Sequence, residues 1–164
     1  DMAEYRRPDP RTAPSASKAA GLYMICTISK HRAERKGYAD ALMLDWQGRV
    51  AECTGANIFF IADGKIHTPI ADCFLDGITR RTVMQLADDE GLQVIEKRIT
   101  RDEVYLADEA FFTGTAAEVT PIRELDDRTI GNGVRGPVTE RLQSLYFDIV
   151  HGRETAHTDW LTVV

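Results

Sequence analysis

Asp63-Gly64 stands between two apolar runs, Ile58-Phe59-Phe60-Ile61 and Lys65-Ile66-His67. Asp-Gly between apolar runs is the strongest short-range signal for a β-hairpin, because the two central residues of its tight turn need left-handed backbone angles. A second strand-turn-strand pattern precedes it, with Ala41-Leu42-Met43-Leu44 and Val50-Ala51-Glu52 flanking Asp45-Trp46-Gln47-Gly48. Two hairpins in series commit the middle of the chain to a mostly antiparallel sheet.

Helical patterns surround that sheet. From Ala19 to Lys36 the apolar residues Ala20, Met24 and Ile28 recur every four positions with Ile25 beside them, and Gly37 follows as a stop. Val83, Leu86 and Ala87 share one face of a helix expected from about Thr79 to Glu90, ended by Gly91. A strand follows at Leu92–Glu96, and Thr100 and Glu103 have the spacing of a capping box that opens a brief helix through Leu106. Ala110-Phe111-Phe112 reads as a buried strand, and Leu125-Asp126-Asp127 as a turn within Ile122–Ile130. Pro137 suits the first turn of a last helix whose face is Val138, Leu142, Leu145 and Ile149, closed by Gly152. The tail from Arg153 to Val164 is weakly patterned, with Trp160 and Leu161 as candidates to dock. Strands and helices mixed in this order, without regular βαβ alternation, predict an α+β-like or barrel-like α/β domain with helices packed around mostly antiparallel strands.

At 164 residues and 43% hydrophobic content the chain can bury a core as one domain. A net charge of −6 argues against nucleic acid or an anionic membrane as partner. No apolar run approaches the roughly 20 residues of a membrane span, and no secretory signal opens the sequence, so the expected location is cytoplasmic. Cys26, Cys53 and Cys73 are odd in number and unpaired in spacing, which predicts free buried thiols rather than disulfides or a zinc site. His31, His67, His151 and His157 have no metal-ligand spacing and read as solvated or structural. Residues 1–17, with Pro8, Pro10 and Pro14 among Arg6, Arg7 and Arg11, read as an extended interdomain linker leading from a domain absent from this chain.

Four stretches could carry chemistry. In Phe74–Val83 a loop turns into a helix near Thr79. Gly77 is free to take unusual backbone angles, and the first helical amides with the Thr79 hydroxyl form an anion site suited to phosphate. The bland alternative is that Thr79 only caps the helix. Lys18 lies among Ser15, Ala16, Ser17, Ala19, Ala20 and Gly21, small neighbours that leave room for a bulky group beside an amine nucleophile; a plain solvated lysine is the other reading. Glu52 ends an apolar strand, where a carboxylate needs a positive or protonated partner, functional or merely structural. Thr113–Glu118 is a run of small residues whose amides can point into open space, or a simple tight loop. A phosphate site, an uncrowded lysine, a buried acid and an amide-rich loop are together what a pyridoxal phosphate enzyme requires.

The runs Lys18–Tyr23, Val50–Phe59, Gly77–Arg80 and Phe112–Pro121 closely resemble, in order, four motifs of the C-terminal domain of the class IV (fold type IV) aminotransferases, and within them the branched-chain amino acid group. The resemblance spans about Ser15 to His151. It implies that residues 18–164 form a barrel-like domain binding pyridoxal 5′-phosphate. Lys18 would link covalently to the cofactor, Tyr23 contact its phenolic side and Glu52 its pyridine nitrogen. Gly77, Ile78 and Thr79 would hold the phosphate, and Thr115 both phosphate and substrate carboxylate, with help from Ala116 and Ala117. The implied reaction passes an amino group between leucine, isoleucine or valine and 2-oxoglutarate, in a homodimer or a multiple of one. Relatives that act on D-amino acids or (R)-amines, a lyase that cleaves aminodeoxychorismate, and a fragment serving only as an interaction module are the alternatives. Two departures stand out: Ala56 where many relatives have a second acid, and Leu22 where asparagine is frequent. The family also has an N-terminal domain that supplies an arginine to the phosphate, and nothing in this sequence matches it.

Overall fold

The computed structural model describes residues 1–162. The first hairpin pairs β1 (Leu42–Leu44) with β2 (Val50–Cys53) as a separate two-stranded ladder. The second pairs β3 (Asn57–Ala62) with β4 (Lys65–Pro69) across Asp63 and Gly64, whose φ values of 52° and 68° are those the tight turn demands. After α2 (Ile78–Asp89), β5 (Val94–Lys97) returns parallel to β4. Next come α3 (Arg101–Tyr105), β6 (Glu109–Gly114) and β7 (Glu118–Ile122), giving a five-stranded sheet in the order β5-β4-β3-β6-β7. Mixed, mostly antiparallel strands with helices packed around them are the fold class expected, and the ladders do not close into a full barrel among the described residues.

A small hairpin of β8 (Glu124–Leu125) and β9 (Arg128–Thr129) turns at Asp126 and Asp127, both at positive φ. The chain then forms α4 (Pro137–Val150) with Pro137 at its first turn. In the tail His157 stacks on Trp160 at 3.8 Å and meets Asp89 at 2.7 Å, so it docks on the end of α2. The last two residues of the tail, Val163 and Val164, lie outside the described residues.

Alternation along the strands separates two cores, because successive side chains of a strand leave opposite faces. Phe59, Ile61, Phe111 and Val119 pack on Val83, Leu86 and Ala87 of α2 and on Leu142 and Ile149 of α4, with Phe59 and Phe111 stacked at 5.0 Å. Ile58, Phe60 and Ala110 face the other way, onto Leu42, Val50, Ile99 and Val104. Burying each large side chain contributes about 2 kcal/mol, so the two cores clamp the sheet between the helices and the β1–β2 hairpin. The capping box at Thr100 and Glu103 forms as expected. All three cysteines are free and buried.

α1 departs from its expected face. The helix proper runs Met24–Arg35 after a 3-10 turn at Ala20–Leu22, and it buries Cys26, Ser29 and Ala33 while Met24 is 64% and Ile28 37% exposed. The reason lies in residues 1–17. Within them, residues 2–7 run alongside β1 through bridges of Met2 with Leu42 and Arg7 with Asp45. Arg7, only 1% exposed, donates to Cys26 Sγ at 3.3 Å. A helix packed this closely on a neighbouring segment turns its small residues inward, and the large apolar ones are left outside.

Candidate active site

β2, β3 and β6 meet at one edge of the molecule, where Asn57 of β3 pairs with Thr113 of β6 and the N-terminus of α2 closes the corner. The cleft there, of about 480 Å³, is lined by Lys18, Tyr23, Glu52, Gly77, Ile78, Thr79 and Thr115 together with Asn57, Thr113, Gly114 and Arg81. Segments distant in the chain thus bring together seven of the nine residues singled out in the sequence. Ala116 and Ala117 are not among its lining; they continue the β6–β7 turn directly after Thr115, which does line it.

The α2 terminus differs in detail from expectation. The helix starts at Ile78 with Gly77 as its N-cap, so Thr79 is inside the first turn and is not the cap. Gly77 has φ −67°, which any residue adopts; it is needed as glycine because a Cβ there would lie 2.5 Å from Asn57 Oδ1. No side chain caps the helix, which leaves its first amides and the positive end of its dipole to the cleft. Thr79 is buried, and Thr113 Oγ1 is buried without a hydrogen-bond partner.

Glu52 is 6% exposed. Its Oε1 lies 3.4 Å from Arg7 Nε, and its Oε2 accepts from Asn57 Nδ2 at 3.4 Å. Burial pushes the carboxyl up to about 8, with the nearby Asp40 charge adding to it; Arg7 offsets only part of this. The guanidinium is shared, since it also donates to the carbonyls of Leu22 at 3.0 Å and Cys73 at 3.2 Å. Arg7 thereby fixes both the acid and the 3-10 turn that follows Lys18. It was missed in the sequence, although the need for a cation beside Glu52 was visible. Tyr23, half-buried beside them, has its phenol raised by burial and by the Glu52 charge. Lys18 is exposed at the cleft mouth, where Ala16 is also part of the lining.

A carboxyl that keeps a proton near neutrality, an open amine and an uncapped helix terminus within one cleft can hold a ring nitrogen, a carbonyl carbon and an anion at once. The sequence profile of the family described as amino-transferase class IV matches residues 2–125, most of the chain. The chain belongs to the class IV aminotransferases. Among class IV aminotransferases it is 56% identical over 148 residues to the branched-chain-amino-acid aminotransferase of Pseudomonas aeruginosa, covering 90% of this chain and 48% of that protein. It is 46% identical over 165 residues to a probable branched-chain-amino-acid aminotransferase of Aquifex aeolicus, covering 99% and 53%. The fold superposes with a TM-score of 0.96 on the T.th. branched-chain amino acid aminotransferase complexed with N-(5′-phosphopyridoxyl)-L-glutamate, at 42% identity, covering 98% of this chain and 55% of that one. This class IV aminotransferase chain therefore spans about half the length of the relatives it matches.

Proposed function

We propose that this chain is the cofactor-binding half of a branched-chain amino acid aminotransferase that uses pyridoxal 5′-phosphate to move an amino group between leucine, isoleucine or valine and 2-oxoglutarate. The observation that carries the reading is the convergence of Lys18, Tyr23, Glu52, Ile78, Thr79 and Thr115 on one cleft. The cleft suits the cofactor in size, and the uncapped α2 terminus suits its phosphate. The unpartnered Thr113 Oγ1 offers one more polar contact. The names of the relatives and the phosphopyridoxyl-glutamate complex of the T.th. enzyme support the choice of substrates, glutamate being the amino acid of 2-oxoglutarate.

When bound, the cofactor supplies an electron sink that makes the substrate Cα–H acidic. Glu52, held neutral by its burial at ordinary pH, presents a proton at Oε to the ring nitrogen and keeps it there. Ile78 and Thr79 present amides to the phosphate, and Thr115 at the rim presents its hydroxyl. Lys18 Nζ, at the open mouth among small residues, would hold the cofactor covalently and, once displaced by the substrate amine and free again as a neutral amine, would take the proton from Cα. The β6–β7 turn, with Ala116 and Ala117, binds the substrate carboxylate through backbone amides common to all amino-acid substrates. The second half of the enzyme completes the pocket, and the molecule works as a homodimer or a multiple of one in the cytoplasm. Among the described residues no helix is long and apolar enough to cross a membrane.

Incubation with pyridoxal 5′-phosphate, borohydride reduction and peptide mapping is expected to place the pyridoxyl group on Lys18. A label on Lys30, Lys36 or Lys65 would overturn the assignment. Simple amines reacting as fast as leucine would point instead to the amine transaminases.

A further inference from the structure

Asn57 is 5% exposed, and the polar groups that its side chain meets belong to different parts of the cleft. Its Nδ2 donates to the Leu75 carbonyl at 2.9 Å and to Glu52 Oε2 at 3.4 Å, and its Oδ1 accepts from the Gly77 amide at 3.3 Å. The absence of a side chain at Gly77 is what admits it, because a Cβ there would fall 2.5 Å from Oδ1. One planar amide therefore spans from the acid on β2 to the N-cap of α2, and its own backbone is fixed in β3 opposite Thr113. No other side chain hydrogen-bonds to both Glu52 and the residue that caps α2 among the described residues.

We infer that Asn57 is a positioning residue that sets the separation and orientation of Glu52 relative to the anion-binding amides of α2, and so presets the cleft for a ligand that must engage both at once. The inference rests on the reading of the cleft as a pyridoxal phosphate site. A rigid two-ended ligand gains from preset end groups because neither has to be ordered on binding, whereas a ligand touching one end lets the other relax. Asn57→Asp keeps the acceptor facing Gly77 but replaces the donor with an oxygen facing Glu52 and the Leu75 carbonyl. Asn57→Ala removes all three contacts.

The test is binding to the full 164-residue chain, with pyridoxal 5′-phosphate followed by absorbance, and pyridoxal and inorganic phosphate followed by NMR shifts of the cleft amides. Both variants are expected to lose about tenfold or more in affinity for pyridoxal 5′-phosphate while the two one-ended probes change by less than about threefold. Gly77→Ala should weaken pyridoxal 5′-phosphate binding in the parent and have little effect in the Asn57→Ala background, where the space is free. Parallel losses for all three ligands, or unchanged binding of pyridoxal 5′-phosphate with the melting curve alone lowered, would reduce Asn57 to a structural residue and overturn the inference. If the unmodified chain fails to bind pyridoxal 5′-phosphate at all, the functional reading falls first, and the two failures are thereby told apart.

Discussion

The Glu52 carboxyl should make the folded chain less stable as the medium becomes more alkaline, and Glu52→Gln should abolish that loss. In the folded state the group holds its proton up to about pH 8, against 4.5 for an ordinary glutamate. The folded chain thus binds more protons than the unfolded one between those values, so the contribution is fully present below about pH 4.5 and is lost as pH rises through 8. At about 1.4 kcal/mol per pH unit the full difference is about 5 kcal/mol, a large part of the roughly 5–15 kcal/mol that stabilises a domain. Urea denaturation of the cofactor-free chain and of Glu52→Gln at intervals from about pH 5 to pH 9 measures it. His67, lowered by its own burial, adds a pH dependence that is the same in both proteins and cancels in the difference. The two stabilities should nearly agree at about pH 5 and diverge in favour of the glutamine by several kcal/mol at about pH 9. Parallel curves would refute the reasoning. Parallel curves above pH 5 with a parent that gains on the mutant only below about pH 4.5 would mean that Arg7 overcomes burial and keeps the carboxylate ionised.

Arg7→Met should push the Glu52 carboxyl higher still, so that above about pH 8, where the parent has levelled off, the variant goes on losing about 1.4 kcal/mol per pH unit in the same denaturation series; a cost that does not grow there would show that Arg7 does not act on Glu52. Thr115→Val, at an exposed position on the cleft rim, should leave the melting temperature within a degree or two while raising the dissociation constant for pyridoxal 5′-phosphate several-fold by absorbance titration; an unchanged constant would remove Thr115 from the site.

What the sequence disclosed depended on whether the cause was local. The Asp63-Gly64 turn, the Thr100–Glu103 capping box and Pro137 at the head of α4 act through neighbours within a few residues, and each formed where the spacing put it. The cleft residues were legible as well, because Lys18, Glu52, Gly77 to Thr79 and Thr115 lie in short motifs, and the structure brings those motifs together. Long-range causes were not legible. Nothing in the proline-rich stretch around Arg7 says that its guanidinium will be buried against Glu52 and Cys26, or that α1 will turn Cys26 and Ser29 inward while Met24 stays outside. Gly77 was correctly marked as a glycine that matters, but for the wrong reason: the constraint is the oxygen of Asn57 pressed against it, a contact from a strand twenty residues earlier in the chain.

The strand order has a consequence for how the chain reaches this state. β3 lies at the centre of the five-stranded sheet, joined to β4 by a two-residue turn but to β6 only after α2, β5 and α3 have been passed. Closing that longer loop costs roughly 3 kcal/mol more in chain entropy than closing the tight turn. The β3–β4 hairpin can therefore form early and cheaply, whereas the β3–β6 pairing that brings Thr113 opposite Asn57 must wait for a later, non-local step. During synthesis the corner of the cleft cannot exist until Gly114 has emerged. Any ligand that stabilises this corner acts on the last stage of folding and leaves the first hairpin's rate unchanged.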